Sequence, residues 1–259
     1  MSEIVTTELV KELRDTTGIS VMQCKRALEE AEGDMKKALA ILKKTSSEIA
    51  LKKADRIAKD GAVMIKTNKG KAVLVALHCE TDFVAKNEDF VKLLENLTNK
   101  IFDSGIEKTK EEINNIINPV IQKTGENIVL GDVYEVLGDV LGSYVHNNKS
   151  AVIVSLKGGD EALAKEIAMH IVAMKPEYIK REEIDEETLK TITEVFEKEV
   201  IKINKEDSIK KKILDGKIAT YFKEKTLLDQ PFIKDGELTI EKLLDNAKAE
   251  IIEVKCYSI

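Results

Sequence analysis

Tryptophan is absent from this chain, and proline, histidine and cysteine each occur only three times. Each scarcity excludes something. Cys24, Cys79 and Cys256 are odd in number and show no CxxC spacing, which argues against a disulfide framework and against a cysteine zinc site. They read as reduced, structural residues. His78, His146 and His170 follow no HExxH spacing and stand in no cluster of cysteines or carboxylates, so neither a metal nor another cofactor is expected. No GxxxxGK[ST] phosphate loop occurs, and Gly158-Gly159-Asp160 reads as a turn followed by a helix cap, so the chain is not expected to bind GTP by that route. Aromatic residues make up 4% and the net charge is -6, which disfavours a general nucleic-acid binder with a basic face and stacking rings. No apolar run approaches the roughly 20 residues of a membrane helix. Met1-Ser2-Glu3 opens nothing like a signal or transit peptide, and the expected address is the cytoplasm.

What is present is a globular balance: 259 residues, 43% apolar against 34% charged, enough for two or three packed units. Up to about residue 44 the spacing predicts three short helices. Leu9, Val10 and Leu13 line the first, which Thr17-Gly18 ends. Ser20 and Gln23 are placed to form a capping box for the second, Gly33 stops it, and Asp34 caps the third, which carries Met35, Ala38, Leu39 and Leu42. Lys43 to Lys59 is lysine-rich with no strong apolar stripe and reads as a linker helix between domains. Its basic pairs read as a solvated face, not an RNA site.

Two later stretches share one plan. Gly61 to Lys66, a Thr67-Asn68-Lys69-Gly70 turn and Ala72 to Leu77 form the first strand-turn-strand unit. Gly142 to His146, Asn147-Asn148-Lys149 and Ala151 to Leu156 form the second, and AVLVAL and AVIVSL are nearly the same strand. A helix follows each, from Asn87 to about Asp103 and from Asp160 to Met174, which suggests duplicated subdomains of antiparallel sheet covered by helices. Between them Lys110 to Ile117 is helical, Pro119 interrupts it, and a strand is expected near Val133 to Leu137. After Pro176 the apolar spacing runs from Ile184 to Ile203 and again from Ile209 to Phe222, the pattern of a helical hairpin inserted in the second subdomain. A helix from Thr239 to Ala247 and a last strand from Glu250 to Cys256 complete the chain. The expected fold is α+β in four parts: a helical domain over 1–55, a core subdomain over 56–140, a second over 141–182 and 225–259, and the hairpin over 183–224.

Function points to His78-Cys79-Glu80-Thr81-Asp82-Phe83-Val84-Ala85-Lys86-Asn87, a loop between a strand end and a helix start. Catalysis by Cys79 with His78 fails, because neighbours in a strand point to opposite faces. Phe83 has no polar handle, so either the core takes it, as it takes most phenylalanines, or a partner does. Asp82 reads from the residues alone as a turn or capping residue.

This run resembles the signature of the elongation factor Ts family, nucleotide exchange factors of the GTPase elongation factor Tu. LRDTTGISVMQCKRALEEAEGD, GDVLGSYVH with IAMHIVAMKP, and KKKILDGKIATYFKEKTLLDQPFIKD resemble the same family in order and spacing. The chain departs from the family pattern at Ile19-Ser20-Val21 and at His78. The resemblance implies a ubiquitin-associated-like (UBA-like) N-terminal bundle and a non-enzymatic role. It implies binding to elongation factor Tu, GDP-bound and nucleotide-free, with Thr81, Asp82, Phe83 and Val84 disturbing the magnesium site to speed GDP release. It further implies contacts through Arg14, Val21 and Met22, and through Gly125 and His146. For His146 a satisfied histidine at a strand end is the alternative. No membrane and no direct nucleic acid are expected as partners, and the sequence leaves open whether the hairpin dimerises. A thiol or hydrolytic enzyme and a ubiquitin- or RNA-binding adaptor are the competing classes, disfavoured by the geometry at Cys79 and by the charge.

Overall fold

The computed structural model describes residues 5–259, so Met1-Ser2-Glu3 lies outside the described residues. The chain divides into two compact units. One runs to Val136 and includes Val145–Ala151 and Lys255–Ile259; the other comprises Leu137–Tyr144 and Val152–Val254.

In the first unit, helices α1 (Thr7–Thr17), α2 (Val21–Glu30) and α3 (Met35–Lys53) begin and end where the local chemistry dictates. The Thr6 hydroxyl accepts from the Leu9 N–H, and Gly18 closes α1 in the left-handed region at φ 65°. Asp34 accepts from the Lys36 and Lys37 N–H groups, which holds its carboxyl below the ordinary value. At Ser20 the capping box is half made: the hydroxyl accepts from the Gln23 N–H and donates to the Gln23 side chain. Leu13, Cys24, Leu28, Ala38 and Leu42 close the core of the bundle.

The third helix and the linker helix expected over Lys43 to Lys59 are one helix that ends at Lys53. Helix α3 continues unbroken to Lys53, because its second half is not a solvated connector. Ser46 is buried with its hydroxyl on the Gln122 side chain, and Ile49 and Ala50 pack on the main core of the unit.

Strands β1 (Asp60–Asn68) and β2 (Lys71–Cys79) pair antiparallel from Asp60 opposite Cys79 to Asn68 opposite Lys71, turning at Gly70. Ala72 to Leu77 are all buried, as suits the central strand of a three-stranded sheet. A single turn α4 (Asp82–Ala85) and the long α5 (Glu88–Ser104) follow. Helices α6 (Ile106–Lys110) and α7 (Ile113–Thr124) then lead to the third strand, β3 (Ile128–Leu137). Three expectations change here. The helix expected over Lys110 to Ile117 is broken by a turn at Glu111-Glu112, where α6 ends and α7 begins. Pro119 does not interrupt the helix but lies inside α7, where its missing N–H forfeits one bond. Burial of Ile117 and Ile121 and packing of α7 along α3 offset that loss. Strand β3 begins five residues before the expected Val133.

Strands β4 (Val140–His146) and β5 (Ser150–Lys157), whose bodies belong to the second unit and whose tip Val145–Ala151 belongs to the first, are joined through Asn147 and Asn148 at φ 50° and 55°, the two left-handed residues that a tight hairpin requires. Helix α8 (Glu161–Met174) starts on the Asp160 cap, and the bare Gly142 lets the strand approach its backbone: a Cβ there would sit 2.2 Å from the Ala164 carbonyl carbon. Helices α9 (Glu186–Ile201) and α10 (Asp207–Lys225) pack on each other, with Val200 and Phe222 buried. A short hairpin of β6 (Pro231–Phe232) and β7 (Asp235–Thr239), which the sequence reading does not contain, precedes α11 (Ile240–Asn246) and β8 (Glu250–Ser258). The second sheet runs in the order β4-β5-β8. The α+β class holds.

His170 makes this unit sensitive to acid. It is fully buried on α8, its Nδ1 accepts from the Ile233 N–H at 3.2 Å, and so its Nε2 carries the proton and donates to the Gln230 side-chain oxygen at 2.9 Å. Gln230 in turn donates to the Glu224 carbonyl at 2.6 Å, tying the end of α10 to α8. Burial depresses the imidazole below its ordinary value, partly opposed by the Gln230 bond. The unfolded chain therefore takes up a proton near pH 6.5 that the folded state refuses, and stability is full above that pH and falls below it toward the depressed folded value. Urea melts at pH 7.5 and 5.5 are expected to show this loss, and His170→Gln to show a shallower one. Equal slopes for the two proteins would mean that the imidazole stays neutral in both states over this range.

Candidate functional site

The segment after β2 turns sharply because Thr81 caps α4, its hydroxyl accepting from the Val84 N–H at 3.4 Å. The cap is thus Thr81, and Asp82 is the first helical residue, paired across one turn with Lys86 at 2.8 Å. That bond raises the Lys86 ammonium above its ordinary value, but the pair is open to solvent and counts for little in stability. The turn is two-faced. Ala85 is buried and Val84 packs on the main core beside it, while Phe83 points outward with 82% of its surface exposed. A phenylalanine side chain left in water on an anchored turn is the unusual feature here, since the same ring buried would stabilise the fold by about 1.5–3 kcal/mol. The core reading of Phe83 is overturned.

Behind the turn, Cys79 is buried with its thiol donating to the Thr81 carbonyl at 3.2 Å. Burial first, then the charges of Glu126 and Asp60, push the thiol up to about 12, so it is no nucleophile at neutral pH. His78 faces elsewhere, its Nε2 2.7 Å from the Tyr257 hydroxyl, and Gly131 leaves room for the ring. No group of three or more His, Cys, Asp or Glu able to hold a metal ion occurs among the described residues, and no helix among them is long and apolar enough to cross a membrane.

The structure brings Gly125 to this turn through its neighbour. Gly125 closes α7 at φ 76°, its carbonyl accepts from Lys53, and it is exposed with open space where a Cβ would be. Glu126 then reaches across to Glu80 and Thr81, accepting from both backbone N–H groups at 3.1 and 3.0 Å and from the Thr81 hydroxyl at 2.7 Å. The sequence reading missed Glu126. An acid following a helix-stop glycine carries no local signal that its acceptors will be used by a loop 45 residues away.

Arg14, Val21 and Met22 form a separate group on the bundle. Arg14 lies exposed in the last turn of α1, and Val21 and Met22 are the first two residues of α2, 49% and 74% exposed. His146 is exposed at the end of β4, beside a hairpin tip where the Asn148 carbonyl accepts from the Val63 N–H and Lys149 bonds Asp60. Its ring Nε2 stands 3.3 Å from the Asn147 side chain.

Comparison with known proteins agrees with the resemblance seen in the residues. The family model described as Elongation factor TS matches residues 80–259. The chain is 36% identical over 269 residues to elongation factor Ts of Hahella chejuensis, covering 98% of this chain and 92% of that protein. It is 38% identical over 273 residues to that of Nitrosomonas eutropha, covering 100% and 92%. For the Deinococcus radiodurans protein the identity is 36% over 250 residues, covering 93% and 95%.

Proposed function

The chain belongs to the elongation factor Ts family, a family of translation elongation factors, and from that premise we propose that it binds elongation factor Tu and promotes GDP release by disturbing the magnesium and nucleotide site of that GTPase. GTP then rebinds. The observation that carries this reading is Phe83, an exposed ring on a turn whose other face is anchored in the core. Its role is that of a wedge entering between helices of the GTPase domain. Thr81 and Val84 set the turn, and Asp82 adds polar contact and negative charge. Magnesium is the natural point of attack because it holds much of the phosphate charge in place.

The energetics are those of linkage. A protein that binds the GTPase more tightly when nucleotide is absent weakens nucleotide by the same factor. Each tenfold gain needs about 1.4 kcal/mol of coupling. No bond is made or broken, so the protein acts as an exchange factor and not as an enzyme, in the cytoplasm and without a membrane or nucleic-acid partner. Arg14, Val21 and Met22 serve as a second dock, which the exposure of Val21 and Met22 supports, and Gly125 and His146 meet another domain of the partner. The four-part division, with a UBA-like bundle over 1–55, belongs to the same reading; the separate apolar cluster of the bundle supports it.

Release of labelled GDP from purified elongation factor Tu, followed by stopped flow, tests the proposal. The protein is expected to speed release and to hydrolyse no GTP by itself. Absence of any effect at saturating concentration, or hydrolysis by the isolated protein, overturns it.

A further inference from the structure

We propose that Glu126 is the positioning residue of the exchange turn, holding the Thr81 cap so that Phe83 is presented in one orientation; this rests on the role given to Phe83 above. A helix of one turn has no cooperative stability of its own, so the direction of its side chains has to be imposed from outside. Val84 and Ala85 anchor the inner face, but they lie after the cap. The chain passes from β2 into α4 through Glu80 and Thr81, and there one carboxylate takes up three donors. Glu126 Oε2 accepts from the Glu80 and Thr81 N–H groups, and Oε1 accepts from the Thr81 hydroxyl. The last of these fixes the hydroxyl rotor, leaving its lone pair for the Val84 N–H that starts the turn.

Glu126 is itself clamped from both sides. The Gly125 carbonyl accepts from Lys53, the Asn127 N–H donates to the Glu80 carboxylate at 2.7 Å, and the Asn127 side chain donates to the Arg56 carbonyl at 2.8 Å. Glu126 thus holds the Glu80 backbone, and Glu80 holds the backbone of Asn127, the residue after Glu126, with the Arg56 guanidinium 3.5 Å from the Glu80 carboxylate. Charge-assisted bonds to backbone N–H groups are the strong ones and orient most tightly.

The test is a double-mutant cycle on GDP release from elongation factor Tu, using the full chain with Glu126→Gln, Phe83→Ala and both. The glutamine keeps the shape but turns one acceptor into a donor facing donors. At saturating concentration Glu126→Gln is expected to slow stimulated release about tenfold, with a much smaller change in the half-saturating concentration. In the Phe83→Ala background it is expected to cost nothing further, a result that general loosening of the fold would not give. Amide exchange at Glu80 and Thr81 is expected to speed up in the variant. If Glu126→Gln does not fold, Glu126→Asp, which draws the carboxylate back from its three donors and leaves the Thr81 cap in place, enters the same cycle. Normal release by the Glu126 variant, or an undiminished defect on top of Phe83→Ala, overturns the positioning role while leaving the wedge in place. A Phe83→Ala protein with full activity instead removes the wedge itself, and the positioning role with it.

Discussion

Phe83→Ala is expected to leave the protein folded and to remove most of the exchange activity proposed for it. A buried phenylalanine cut to alanine typically costs roughly 3 to 5 kcal/mol, because transfer energy is lost and a cavity is left. Phe83 is 82% exposed, so there is no cavity to leave, and its replacement should stay within about 1 kcal/mol of wild type. The anchoring of Val84 and Ala85, the Thr81 cap and the Asp82 to Lys86 pair all survive the change. Given an intact fold, stimulated GDP release should fall about tenfold or more, which is 1.4 kcal/mol or more of coupling carried by one ring. The defect should be largest with magnesium present. Once a chelator has removed the ion, much of the work proposed for the wedge is already done, and mutant and wild type should converge. A protein that melts several kcal/mol lower, or a defect equal with and without magnesium, would remove Phe83 from the mechanism and leave Asp82 to carry it.

The contrast between legible and hidden features follows from the range of the forces involved. The hairpins could be read because their signals are local: Gly70 and the Asn147-Asn148 pair supply the left-handed turns, and the apolar runs between them can only be buried strands. Helix starts at Asp34, Asn87 and Asp160 were equally local, each cap accepting from a backbone N–H two or three residues on. Hidden features depend on partners distant in sequence. The run from Lys43 to Lys59 reads as a solvated linker because the apolar part of its sheltered face is narrow, Ile49 and Ala50 beside the buried Ser46, and the surface it meets comes about 70 residues later in α7. Pro119 looked like a helix breaker for the same reason. Within the site, the turn-forming character of Thr81 and Asp82 can be read from residue types and a role for Thr81 to Val84 only from the family resemblance, while the direction of Phe83 cannot be read, since a lone phenylalanine after a turn packs inward more often than not. Glu126 was hidden altogether.

Phe90→Ala should have the opposite outcome, although it lies only seven residues further on. Phe90 is fully buried near the start of α5, in a cluster with Val73, Val75, Leu77, Leu94 and Leu97. This cluster joins the central strand to the helix that covers it, so the ring has no route to solvent and its neighbours, held by the sheet register, cannot collapse into the space it leaves. The expected cost is roughly 3 to 5 kcal/mol, a large part of the 5–15 kcal/mol that holds a typical protein folded. Urea melts should show the first unit unfolding at clearly lower concentration. Exchange activity should fall too, but only in proportion to the fraction unfolded: at low temperature, where the variant is still native, release per folded molecule should match wild type, because the anchored turn and its exposed ring are intact. A stable Phe90→Ala protein would show that the core beneath α5 repacks. A fully folded but inactive one would show that the pose of Phe83 depends on the packing of α5 as well as on its own turn.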